Sequence, residues 1–183
     1  KAMCNTLTAA KDVDGISLAS LAAVFTDAPD GFPPCTAAAC VAILEHYKVP
    51  IAGKHVVVIG RSLVVGKPVS MMLLRRNASV TICHSRTENL QEISRSADIV
   101  ICATGRARAY GREYFRPGQT VLDVGINFDV HGKLCGDVDF DEVEPIVDAI
   151  TPVPGGVGTV TTSMTMQHTV AAAEAQLKEI LKG

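Results

Sequence analysis

The sequence predicts an α/β chain built on a doubly wound parallel sheet with helices on both faces. Three observations carry this. Short, mostly β-branched runs recur at 55–59, 79–83, 98–102 and 120–124, and the first, Val56 to Ile59, has the pattern of a strand buried on both sides. Helical patterns at about 68–76 and 87–95 alternate with them, which implies right-handed crossovers within one sheet. The first run, Val56 to Ile59, stops at Gly60, and a turn closed by Gly66 leads to Pro68, a residue tolerated in a first helical turn because the N–H groups there lack partners.

Residues 1–10 show no clear pattern. Lys11-Asp-Val-Asp-Gly15 is a compact acidic turn, after which Ser17 is placed to cap a helix over Leu18–Phe25. Asp27 to Pro34, with three prolines, reads as loop, and Thr36 as the cap of a second helix through Tyr47. Pro50 to Gly53 links it to the first strand. Ser85-x-x-Glu88 has the spacing of a capping box for the helix at 87–95. Ala149-Ile150 reads as a last short strand, Thr151 to Gly158 as a Pro/Gly loop, and Thr159–Lys182 as a long final helix ended by Gly183.

The chain has 183 residues, 48% hydrophobic and 20% charged, enough for one domain and a fragment of a second. A net charge of −2 without a basic cluster gives no support to nucleic-acid binding. No apolar run has the length of a membrane span, and no secretory signal is expected from the opening Lys-Ala-Met-Cys-Asn. Cys4, Cys35, Cys40, Cys83, Cys102 and Cys135 form no C-x-x-C pair, and read as buried free thiols in a reducing cytoplasmic setting. No metal site is expected. His46, His55, His131 and His168 show no partner by spacing and read as surface or packing residues, and Met164 and Met166 as helix core.

A strand, a glycine turn and a helix N-terminus together make an anion site; the glycines serve equally well as the hinge of a tight connection. Domains that bind NAD carry an Asp or Glu at the end of the second strand to hold the ribose 2′-hydroxyl. Here that place reads Cys83-His-Ser-Arg-Thr87, with no carboxylate before Glu88. Hydroxyls and cations suit a 2′-phosphate, with Arg61 and Arg86 either reaching it or standing as solvated surface charges. Ala103-Thr-Gly105 and Gly125-Ile-Asn127 follow the third and fourth strands, where open sheets gather ligands and where turns also need glycine. Asp12 and Asp14 flank Val13, so an extended segment points them apart. One of them can accept hydrogen bonds from a flat heterocycle, or the pair can serve an Asp-Gly turn or helix lead-in.

In this order, Lys11-Asp-Val-Asp-Gly15, Pro34-Cys-Thr36, Val58-Ile-Gly-Arg-Ser62, Val65-Gly-Lys-Pro68, Cys83-His-Ser-Arg-Thr87, Ala103-Thr-Gly105, Asp123-Val-Gly-Ile-Asn127, Gly136-Asp-Val138 and Thr151-Pro-Val-Pro-Gly-Gly-Val-Gly158 resemble one family. It is the bifunctional methylenetetrahydrofolate dehydrogenase/methenyltetrahydrofolate cyclohydrolase family, from about residue 11 onward. The resemblance implies a Rossmann-like NADP-binding domain at 37–149, the C-terminal part of a split folate-binding α/β domain at 1–36, and a loop and helix returning to that domain at 150–183. It implies oxidation of 5,10-methylenetetrahydrofolate and hydrolysis of the methenyl product to 10-formyltetrahydrofolate, by a cytoplasmic homodimer.

By the same resemblance, Gly60, Arg61, Ser62 and Ser85 hold the adenosine end of NADP, and Thr104, Gly105 and Ile126 lie along the rest. Asp14 is the catalytic-site acid that bonds the pterin, and Pro154 and Gly155 form part of the folate wall. The family's Tyr-x-x-x-Lys motif and Gln-Leu-Pro stretch are missing, since Tyr47, Tyr110 and Tyr114 have no Lys four residues on. The chain is therefore expected to be N-terminally incomplete and to lack the catalytic lysine. Gly158-Thr-Val-Thr161 replaces the family's Gly-Pro-Met-Thr, with Thr159 expected to cap the last helix. The alternatives are an NADP-binding module without turnover, or another nicotinamide-dependent dehydrogenase.

Overall fold

The computed structural model describes residues 6–29 and 31–181; Cys4 and the predicted end of the last helix at Lys182 and Gly183 lie outside them. Two helices come first, α1 (Leu18–Thr26) and α2 (Cys35–His46). The sheet strands follow: β1 (His55–Ile59), β2 (Ser79–Cys83), β3 (Ile99–Cys102) and β4 (Thr120–Asp123), with α3 (Gly66–Leu74) and α4 (Leu90–Ser96) as crossovers. A hairpin of β5 (Asn127–Phe128) and β6 (Leu134–Cys135), the single-turn α5 (Phe140–Val143), strand β7 (Ala149–Ile150) and α6 (Val157–Ile180) complete the chain. No helix among the described residues is long and apolar enough to cross a membrane.

The five-stranded sheet has the order β2-β1-β3-β4-β7, with every pair parallel. The two-residue period of a strand then sorts the core. Val56 and Val58 point to one face, where they join Val69 and Leu73 of α3, Leu44 of α2 and Val157 of α6. Val57 and Ile59 point to the other, with Val100, Cys102, Phe115 and, at its margin, Leu90 and Ile93 of α4. Helices thus clad both faces, as the alternation predicts. β5 and β6 pair antiparallel.

Several predicted boundaries move for local reasons. Ser17 caps α1 as expected, accepting the Ser20 N–H at 3.2 Å. Helix α2 begins at Cys35 with Pro34 at its cap position, so Thr36 lies inside it. Ser85 does not cap α4, which starts after Asn89 in the left-handed region; the Thr87 hydroxyl takes the His84 N–H at 2.9 Å and ends the strand in a turn first. Thr159 lies within the first turn of α6 rather than before it, and its hydroxyl donates back to the Gly156 carbonyl at 2.7 Å. The five cysteines described are free and buried, and burial alone pushes Cys40 up to about 12. Met164 packs on the core while Met166 is exposed.

Candidate functional site

Because all strands of the main sheet run parallel, the loops that leave their carboxyl ends share one edge. Along that edge they follow the strand order: Ser85 after β2, Gly60 to Ser62 after β1, Thr104 and Gly105 after β3, Ile126 after β4, and Pro154 and Gly155 after β7. The chain's direction of progress reverses between β1 and β3, and such a switch point opens a crevice.

Glycine makes that crevice. Gly60 has φ of +132°, and a Cβ there would collide with the Ala103 carbonyl at the end of β3. A Cβ on Gly66 would collide with the Gly60 carbonyl in turn. The turn therefore closes on itself and against β3, which neither residue could allow with a side chain. Ser62 steadies it, its oxygen accepting from the N–H groups of Val65 at 3.0 Å and Gly66 at 3.4 Å.

A cavity of about 400 Å³ lies over this turn and brings Gly60, Arg61, Ser62, Ser85 and Thr104 together. His84, Thr87, Arg106 and Tyr110, none of them singled out in sequence as contacts, also line it. Among the described residues no Asp or Glu does. His84 uses Nδ1 to accept the Arg86 N–H at 3.2 Å, which leaves the proton of its neutral ring on Nε2. The donor set is therefore cations and hydroxyls, which fits a phosphorylated ribose better than a bare one. Arg61 is exposed.

Two aspartates that stand in the quoted motifs, but to which the sequence assigned no role, hold the middle of the edge. The Asp137 carboxylate, fully buried, accepts the N–H groups of Thr104 at 2.5 Å, Gly105 at 3.1 Å and Arg106 at 2.9 Å. It also takes the Thr104 hydroxyl at 3.0 Å and the Asn127 amide at 2.9 Å. Tyr110 donates to the Thr104 hydroxyl at 3.3 Å. Three successive N–H groups make an anion nest, and the protein's own carboxylate fills it. Thr104 and Gly105 thus offer a ligand their surface and not their backbone donors.

Asp123, at the end of β4, accepts from Gly125, Asp137 and Val138 N–H groups at 3.0, 2.9 and 2.9 Å. Burial raises its pKa to about 6; those N–H groups pull it down, and the neighbouring Asp137 pushes it up. Only the Asp123-x-Gly125 and Gly136-Asp137 glycines signal the pair in sequence, because a Cβ on Gly125 or Gly136 would collide with the opposite carboxylate.

Ile126, Pro154 and Gly155 lie farther along, lining a separate cavity of about 260 Å³ with Thr159 and Thr162 of α6. Pro154 follows a cis peptide bond. Gly105 and Asp14 line neither cavity.

The acidic turn divides its carboxylates. Asp12 is buried and spent on structure: it accepts the N–H groups of Ile16 at 3.1 Å and Ser17 at 2.8 Å and the Ser20 hydroxyl at 2.7 Å. Burial raises its pKa, but the Ser17 and Ser20 side chains and these N–H groups outweigh it and hold the group below its ordinary value. Asp14 is exposed. Two histidines read as partnerless are not: His55 Nε2 meets the Thr81 hydroxyl at 3.0 Å, and His168 Nδ1 meets the Val13 carbonyl at 2.9 Å.

A family model described as the NAD(P)-binding domain of tetrahydrofolate dehydrogenase/cyclohydrolase matches residues 34–177. The bifunctional protein FolD of Carboxydothermus hydrogenoformans is 60% identical over 166 residues, 90% of this chain and 58% of its own length. That of Desulfitobacterium hafniense is 54% identical over 93% of this chain and 60% of its own. The crystal structure of the FolD methylenetetrahydrofolate dehydrogenase/cyclohydrolase from Campylobacter jejuni superposes with a TM-score of 0.93 at 38% identity, covering 96% of this chain and 62% of that one. The Trypanosoma brucei enzyme, solved with NADP and an inhibitor, gives 0.89 at 35% identity, covering 96% and 62%. The chain thus spans about three fifths of the length of the relatives it matches.

Proposed function

The chain belongs to the tetrahydrofolate dehydrogenase/cyclohydrolase family, and from that premise we propose that it is the cofactor-binding part of an enzyme that oxidises 5,10-methylenetetrahydrofolate with NADP and hydrolyses the methenyl product to 10-formyltetrahydrofolate. The observation that carries this is the cavity over the Gly60 turn, lined by Arg61, Ser62, Ser85 and Arg106 with no carboxylate among the described residues. NADP, when bound, supplies the hydride acceptor.

The chain's own residues bind and orient. Arg61 and Ser85 hold the 2′-phosphate, and Gly60 lets the backbone approach the cofactor. Thr104, Gly105 and Ile126 support its length, leading toward Pro154 and Gly155 as part of the folate-side wall. Asp14 accepts hydrogen bonds from the pterin ring. We assign 37–149 to the NADP-binding domain, and 1–36 and 150–183 to a folate-binding domain split in sequence. Exposed Leu18 and Phe25 on α1 and Val170 and Leu177 on α6 support that division, since they suit helices with more to pack against. We place the enzyme in the cytoplasm and assign it a homodimeric state on family likeness.

The test is spectrophotometric. The 183-residue chain and a full-length FolD carrying this segment are supplied with NADP and 5,10-methylenetetrahydrofolate, and NADPH formation is followed. The full-length protein is expected to produce NADPH. The bare chain, without the Tyr-x-x-x-Lys motif, is expected to hydrolyse methenyltetrahydrofolate very slowly; brisk hydrolysis by it would refute the role given to that lysine.

A further inference from the structure

We propose that His168, midway along α6, is a positioning residue for Asp14, acting together with Cys35 through the carbonyl of Val13. The functional half of this rests on Asp14 as the pterin contact.

The Val13 carbonyl is held from two sides. His168 Nδ1 lies 2.9 Å from it and Cys35 Sγ 3.2 Å, and the two donors are 3.5 Å apart. A carbonyl only accepts, so the neutral imidazole carries its proton on Nδ1. The ring is itself fixed, 4.9 Å from the Phe32 ring and tilted by 31°. Cys35 is the first residue of α2 and is 1% exposed. Burial, with the Asp14 carboxylate close by, keeps its thiol protonated against the lowering effect of Thr165, one turn before His168. A neutral thiol is the form that can donate.

The rest of the turn is fastened as well. Asp12 ties the chain beyond Gly15 to the start of α1 through Ile16, Ser17 and Ser20. Gly15, at φ of +66°, packs against the Phe32–Pro34 backbone so closely that a Cβ would stand 2.5 Å from it. With the Val13 carbonyl and the Asp12 carboxylate both occupied inward, Asp14 is the acid of this turn that faces solvent. A rigid backbone under an exposed carboxylate is the arrangement of a presented contact, and preorganisation of that kind lowers the cost of binding. The anchor comes from a residue 155 positions away.

The test uses a full-length FolD carrying this segment, and three variants of it in this chain's numbering. H168F keeps a ring beside Phe32 and removes the donor; H168Q restores a donor; D14N changes the presented group. Amide exchange at Gly15, Ile16 and Ser17 is measured with exchange in β1 as the internal reference, and affinities for 5-formyltetrahydrofolate and NADP are titrated. H168F is expected to speed exchange in the turn and weaken the folate probe about fivefold, the worth of one such bond. NADP affinity and β1 exchange stay unchanged, and H168Q recovers most of the loss. Unchanged turn exchange in H168F, or H168Q no better than H168F, overturns the anchor. A wild-type protein that does not bind the probe, or a D14N variant that binds it as well as wild type, overturns the reading of Asp14 and the functional half with it; the exchange result then still decides whether the anchor exists.

Discussion

Replacing Asp137 by Asn tests how the ligand edge of the sheet is held. The carboxylate takes Thr104 N–H, Thr104 hydroxyl and Gly105 N–H on one oxygen, and Arg106 N–H and the Asn127 amide on the other. An amide can keep its oxygen toward only one of these groups. Kept toward Thr104, it turns its NH₂ on the Arg106 N–H and Asn127; Asn127 can flip its own amide, but the backbone donor cannot. A buried unsatisfied donor costs roughly 1–3 kcal/mol, and the remaining bonds lose their charge assistance. Relief of repulsion with Asp123 returns part of this. The net loss expected is about 2–4 kcal/mol, or a fall of about 1–2 M in the urea midpoint at an unchanged slope. Lower affinity for NADP should accompany it, because the segment over the cavity loses its anchor. A loss below about 0.5 kcal/mol with unaltered NADP affinity would refute this, since the stabilities of buried bonds rarely vanish so completely.

Two further outcomes follow from the same edge. Gly60→Ala drives a Cβ into the Ala103 carbonyl and is expected to cost about 3 kcal/mol or more, whereas Gly105→Ala, with nothing within 4 Å of its Cβ, should cost only about 1 kcal/mol for its left-handed backbone; thermal unfolding compares them. Asp123, with a folded pKa of about 6 against 3.8 in the unfolded chain, favours the folded state most below about pH 4 and loses that contribution as pH rises toward 6. Wild type should therefore lose about 2 kcal/mol relative to Asp123→Asn between pH 4 and 7, and the Asp123 carboxyl carbon should titrate near 6 by NMR.

The sheet was legible because its signal is local. Val56–Ile59 and Ile99–Cys102 are uninterrupted apolar runs that only a strand buried on both faces explains, and both are found there. The loops at the carboxyl edge were legible for the same reason where a run ends in a glycine-bearing turn, after β1, β3 and β4; the turn after β2 carries no glycine. What escaped depends on distance along the chain. Asp137 reaches back 31 to 33 residues to Thr104, Gly105 and Arg106, and His168 155 to Val13, so the first is signalled only by the neighbouring glycines and the second not at all. The two-residue strands β5 and β6 are too short to show a period. Ser85 had the spacing of a cap, but the chain turns there, with Thr87 taking the His84 N–H, and α4 starts only after Asn89. Asp12 and Asp14 looked alike in sequence; the direction of the turn made Asp12 the anchor for Ile16, Ser17 and Ser20 at the start of α1 and left Asp14 exposed.

Titration of the 183-residue chain with NADP and with NAD under one buffer and salt condition measures the central claim directly, because the two cofactors differ only in the phosphate assigned to Arg61 and Ser85. One charge-assisted phosphate contact is worth roughly 1.5–3 kcal/mol, so NADP should bind at least about tenfold more tightly. Equal affinities, or a preference for NAD, would contradict the account.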